Sequence, residues 1–165
     1  MNDGVKKISK ISDRLYRGAD EIMKVTTDEL VKNADLILRL NKKQLAKGEE
    51  SKGIKMKQYL PYSPNTQAYA DRDGINKPKS PSSPVTLNWF GDFWRSFFLT
   101  RVSDTEIMID SKDEKSDSLD YAYGKKLGGD PDGSVFGLNE ENKADVGKKI
   151  LGNILSSFKR KIGIK

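Results

Sequence analysis

Four carboxylates, Asp110, Asp113, Glu114 and Asp117, fall within eight positions of one another. Such clusters are the raw material of hard-cation sites, but a calcium-binding loop places ligands at its first, third and fifth positions around a central glycine. This run has neither the spacing nor the glycine and reads as a loop of solvated carboxylates. Asp130 and Asp132 with Gly133 are a shorter match and equally weak. Paired carboxylates also hydrolyse glycosidic bonds, yet such a pair can lie anywhere in a sequence, and nothing singles one out here. The chain contains no cysteine and no histidine, which removes thiolate nucleophiles, disulfides, Cys/His zinc sites and the usual general base near neutral pH. The stretch "GKKLGGDPDG" lacks the Gly-Lys-Ser/Thr ending and preceding strand of a phosphate cradle, and no GxSxG, HExxH or CxxC occurs. The expectation is a protein that holds something rather than converts it, with no catalytic residue, metal or cofactor.

Whatever it holds must be gripped by a lean fold. Hydrophobic residues make up 35% of the 165 positions and charged residues 33%, so one core within a single domain spanning 1–165 is expected, under a heavily solvated surface. The start "MNDGVKKISKISDR" has no apolar run after its lysines, and no later stretch approaches the length of a membrane span; a soluble protein made in a cytoplasm is expected. The net charge of +6 is unevenly spread: residues 1–57 carry 14 basic against 9 acidic side chains, residues 143–165 carry 7 against 1, and residues 103–120 carry 2 against 7. Solvated helix faces and an acidic loop account for this. So would patches of opposite sign that meet between copies, or a basic face lying near nucleic acid.

Periodicity supplies the elements. Ile8, Ile11, Leu15, Ala19 and Ile22, then Leu30, Ala34, Ile37, Leu38, Asn41 and Leu45, recur at helical spacing, which predicts a nearly continuous helix from about Ser12 to Lys47, with Thr26 and Glu29 spaced for a restart. A short extended run is expected over Ile54 to Tyr59, then one or two helical turns capped by Ser63. Residues 76–84, "NKPKSPSSP", cannot form a packed element and predict an exposed Pro/Ser-rich arm, either a plain linker or a segment that reaches a partner. "LNWFGDFWRSFFLTRV" holds six of the fourteen aromatics. Gly91 and Asp92 interrupt them with a turn, and from Trp94 alternation places Trp94, Ser96 and Phe98 on one strand face and Phe97 and Leu99 on the other. A second strand containing Ile107 and Ile109 returns to complete a β-hairpin. Core packing is the first explanation of the aromatics, ahead of base stacking, because only Arg95 and Arg101 are interleaved with them. "LDYAYG" predicts a helical turn ending at Gly124. The last segment is the clearest helix, with Asn139 as N-cap, Glu140 and Glu141 at its start, Lys159, Arg160 and Lys161 at its end, Gly163 beyond, and Val146, Ile150, Ile154, Phe158 and Ile162 every fourth residue, with Leu151 and Leu155 beside them. The class is therefore α+β: a long N-terminal helix, a small antiparallel sheet with a central hairpin, and a C-terminal amphipathic helix packed on it.

The order of these C-terminal pieces resembles the virion-morphogenesis family of tailed phages, the small tail-completion, tail-terminator and neck proteins of the head-tail junction. The resemblance covers residues 87–163. It rests on Phe90, Gly91, Asp92 and Phe93 as the turn entering the hairpin, on Tyr121, Tyr123 and Gly124 after it, and on Phe136, Gly137 and Leu138 entering the final helix; Phe90 stands where the family has threonine. What it implies is a non-enzymatic virion subunit that closes into a homo-oligomeric ring, a hexamer or dodecamer, in contact with portal or connector and tail proteins, while DNA passes non-specifically through the lumen. Core and interface candidates are Phe90, Gly91, Phe93, Trp94, Phe98, Tyr121, Tyr123, Phe136 and Leu138. Lys148, Lys149, Lys159, Arg160 and Lys161 are candidates for facing DNA or another subunit. The alternative is a small basic nucleic-acid-binding protein that uses this last helix.

Overall fold

Two helices in line form the strut of the molecule: α1, Asp3–Lys32, and α2, Ala34–Ala46. The computed structural model describes residues 3–126 and 133–161; the weak acidic match at Asp130 and Asp132, Ile162 of the apolar stripe and Gly163 beyond the last helix lie outside them. The strut begins nine residues earlier than its periodicity predicts, and its break falls at Asn33 rather than at Thr26. Asn33 explains this: its side-chain amide donates to the Glu29 carbonyl at 2.8 Å, competing with the helix ladder as short amides do, and its backbone leaves the helical region at φ −101°, ψ 24°. Thr26 instead turns its hydroxyl back to the Ile22 carbonyl within an unbroken helix, and Glu29 pairs with Lys32.

The last helix, α6, spans Glu140–Lys161 and runs back along the strut. It starts beside the end of α2, where the Asn139 N–H and the Asn142 amide both donate to Gln44 Oε1 at 2.8 and 3.0 Å. It ends beside α1, where Lys161 pairs with Glu21. Asn139 Oδ1 accepts the Asn142 N–H at 3.0 Å, which is the predicted N-cap.

Between the helices the chain makes short pieces. The stretch expected to be extended holds a 3-10 turn, Met56–Gln58, with one isolated bridge from Glu49 to Lys55. The buried Glu50 carboxylate replaces a strand partner there by accepting the Lys52 and Ile54 N–H groups, each at 2.9 Å. α3, Thr66–Arg72, begins after Asn65, not directly after Ser63. α4 is one turn, Asp92–Arg95, and delivers the chain to the hairpin strands β1, Phe97–Arg101, and β2, Ile107–Ser111, paired antiparallel from Phe97 with Ser111 to Arg101 with Ile107. The sheet holds these two strands. Arg101 fixes it to the strut by pairing with Asp28 and with Asp104 of the hairpin turn, both at 2.6 Å. α5, Ser116–Asp120, continues into a wide π-helical turn, Tyr121–Lys126.

These elements enclose two apolar clusters. The first lies between the strut and α6 and contains Val25, Ile37, Leu138, Val146, Ile150 and Ile154, with Ile107 and Ile109 packed against it. The second gathers Leu45, Met56, Val85, Phe93, Phe97 and Val135, flanked by Trp94, Tyr123 and Phe136. Asn41 and Gln44, on the face of α2 that periodicity marks as apolar, are also buried. They use that position to bond the carbonyls of Val135, Gly137 and Glu50, holding the loop before α6 against the strut.

Six of residues 76–84 are exposed and Ser80 is half-buried, but Lys79 is 1% exposed and Ser83 7%. The segment is pinned by its own lysine. Lys79 Nζ donates to Tyr62 Oη, Thr86 Oγ1 and the Asn88 carbonyl at 3.0, 3.0 and 2.7 Å, and lies over the Tyr62 and Trp89 rings. A buried ammonium is costly unless all its donors are used, and here three oxygens answer three protons.

Candidate docking groove and the basic helix

The aromatic turn separates into core and surface. Gly91 enters α4 at φ +88°, where any side chain would be strained and a Cβ would meet the Arg95 guanidinium at 3.0 Å. One helical turn then sets Phe93 and Phe97 four residues apart on the same side. Their rings meet edge-on at 4.9 Å, and Phe136 closes the group at 5.9 and 5.4 Å. Trp94 is half-buried and donates its indole N–H to the Thr86 carbonyl. Tyr123 is half-buried against the same cluster, where burial pushes its phenol above the ordinary tyrosine range, and Leu138 belongs to the first cluster.

Three candidates lie elsewhere than a core assignment places them. Phe90 is 59% exposed and Tyr121 55%. Phe98 is half-buried while its neighbour Phe97 is the buried ring of β1. The strand starts at Phe97 rather than Trp94, because residues 92–95 are helical; Phe97 and Phe98 keep the opposite faces that alternation gives them, and the buried face is that of Phe97. Trp89 is tied down separately: its indole N–H donates to Asp73 at 3.1 Å, and this bond, with help from Arg72, holds the Asp73 carboxyl below the usual aspartate range.

A concavity of about 990 Å³ opens on the first cluster. Ile107 and Ile109 of β2 line one side, and Val146, Ile150 and Ile154 of α6 the other, while the 133–138 loop closes one end. Asp110, Asp117 and Asp120 stand at its edge with Lys143, the latter drawn toward Glu140 at 2.7 Å. Asp120 also accepts the Val135 N–H at 2.8 Å, so the acidic edge and the loop are one unit. The lip is apolar and open: Leu151 is 55% exposed and Met108 44%. A Cβ placed on Gly147 would meet nothing within 4 Å, so the helix backbone itself is approachable there.

The basic candidates occupy a different flank. Lys148, Lys149, Lys159 and Arg160 are exposed along α6, Lys148 lies 3.9 Å from Asp145, and Lys161 is engaged by Glu21. Among the described residues no three acidic side chains converge as metal ligands, and no helix is long and apolar enough to cross a membrane. Asp110, Asp113, Glu114 and Asp117 are spread over β2, the following turn and α5, and their local bonds are to backbone: Asp110 accepts the Ser111 N–H and Asp113 the Lys115 N–H.

Compared with known proteins, the chain matches no family model, no curated protein and no solved structure.

Proposed function

We propose that this chain is a non-enzymatic structural subunit that works by assembling, with copies of itself and with other proteins, as an adaptor of the head-tail junction of a tailed phage. The observation that carries the assembling role is the acid-rimmed apolar groove: a lean fold leaves hydrophobic surface uncovered where it is to be covered by another molecule. The phage reading is supported by the residue pattern around Phe90 to Phe93, Tyr121 to Gly124 and Phe136 to Leu138, together with the hairpin and final helix that the pattern accompanies. In that reading the ring stands between portal or connector and tail proteins in the virion.

The native mass of the purified protein, followed over a range of concentrations at low and moderate salt, tests it. A defined multiple such as a hexamer or dodecamer that weakens with salt is expected, because opposite charges meet across the contact. A strict monomer at every concentration would remove self-assembly. The second reading, a nucleic-acid-binding protein, is favoured by the exposed Lys148, Lys149, Lys159 and Arg160. It requires duplex DNA binding at about 50 mM salt that falls steeply as salt rises.

A further inference from the structure

We propose that the groove is the seat of the first turns of α1, residues 3–17, from a second copy of this chain, so that subunits join head to tail. The inference rests on the assembling role above and names its contact. α6 covers the apolar stripe of α1 at Ile22 and Val25, but its last described turn is already beside Glu21 and Gly18. The α1 backbone continues as helix to Asp3, and in sequence the same stripe goes on through Ala19, Leu15, Ile11 and Ile8.

Charge and shape point to the same occupant. Residues 3–17 carry five basic side chains, Lys6, Lys7, Lys10, Arg14 and Arg17, against Asp3 and Asp13, whereas the groove carries Asp110, Asp117 and Asp120 against one base, Lys143, itself paired with Glu140. A basic amphipathic helix and an acid-rimmed apolar groove are complementary in both respects. The bare backbone at Gly147 allows a helix to approach closely.

The segment cannot reach its own groove. Residues 3–32 are one helix, and Ile11 is fifteen residues, or about 22 Å along the axis, from Thr26 on the groove wall. The occupant therefore comes from another copy, and a contact of this kind between unlike surfaces closes into a ring or runs on as a filament.

The absence of cysteine allows a direct test on the full-length chain. Ile11→Cys and Leu151→Cys together, under oxidation, are expected to give a ladder of trimers and higher species on a denaturing gel. The two single variants mixed should give a dimer and nothing larger. Leu151→Asp, at an exposed position, is expected to lower the native mass to monomer while the far-UV circular dichroism of the folded chain is kept, and Ile8→Asp with Ile11→Asp should do the same from the other side; the melting point of each variant should no longer depend on protein concentration. Equal parts of these two assembly-deficient proteins should form a dimer that does not extend. If the wild type assembles but the variants assemble equally well and no ladder forms, this contact is overturned while the assembling role stands. A wild type that is monomeric at all concentrations overturns both.

Discussion

The two apolar clusters are built from similar residues and finished differently. Around Phe93 and Phe97 three rings interlock, Trp94 and Tyr123 pack against them, and two buried polar side chains are answered, Lys79 by three oxygens and Gln44 by the Asn139 N–H; a smaller hollow of about 390 Å³ reaches Phe93 and Tyr123, and the buried Asn41 Oδ1 has no hydrogen-bond partner. Around Val146 and Ile150 the cluster is left open along the groove, with Leu151 on α6 and Met108 on the hairpin turned to solvent. The difference is one of coverage: the aromatic cluster is largely covered by the chain itself, and the other leaves apolar side chains to solvent.

Substitutions test that difference. Phe97→Ala is expected to have the largest effect, a loss of about 3–5 kcal/mol, as for other large-to-small changes in closed cores. Denaturant unfolding reads it, and a loss below about 1 kcal/mol would show that the aromatic group is not what holds the fold. Next comes Lys79→Met, which keeps the stem but removes the ammonium from Tyr62, Thr86 and Asn88. Because the half-buried Thr86 hydroxyl and Asn88 carbonyl lose their donor, while Tyr62 Oη still accepts the Thr86 N–H, a loss of about 1–3 kcal/mol is expected in the melting transition, and an unchanged melt would mean that water substitutes for the ammonium. The smallest effects belong to the open cluster. Leu151→Ser should change stability by less than about 0.5 kcal/mol, and Gly147→Ala should raise it by about 0.5–1 kcal/mol, since the added methyl enters empty space in a helix interior. A large loss at Leu151 would mean that the lip belongs to the core after all.

Much of this was legible in the residues where the determinants are local. Asn139 caps α6 because its side chain reaches an amide three residues on, and Glu140 to Lys161 need nothing distant to be read as helix. The hairpin followed from alternation and a polar turn. What was hidden depended on partners remote in sequence. Lys79, in a stretch of prolines and serines, is indistinguishable from a solvated lysine until Tyr62, Thr86 and Asn88 converge on it. Asn41 and Gln44 sit on an apolar stripe as apparent exceptions, yet the 133–139 loop needs their amides. The break at Asn33 turned on one side chain competing for a carbonyl. Alternation put Phe97 and Phe98 on opposite faces but could not tell which of the two the Phe93 and Phe136 rings cover. The groove was concealed because Leu151 and Leu155 complete a stripe that looks wide enough to be covered.

Lys79 also gives the molecule an internal clock. It is one of 23 lysines, and its amine is sealed beneath Tyr62 and Trp89. An acylating reagent that labels the exposed lysines within seconds can reach this one only when the 76–84 segment lifts away. The rate at which Lys79 becomes labelled therefore measures how often the segment opens in the intact protein.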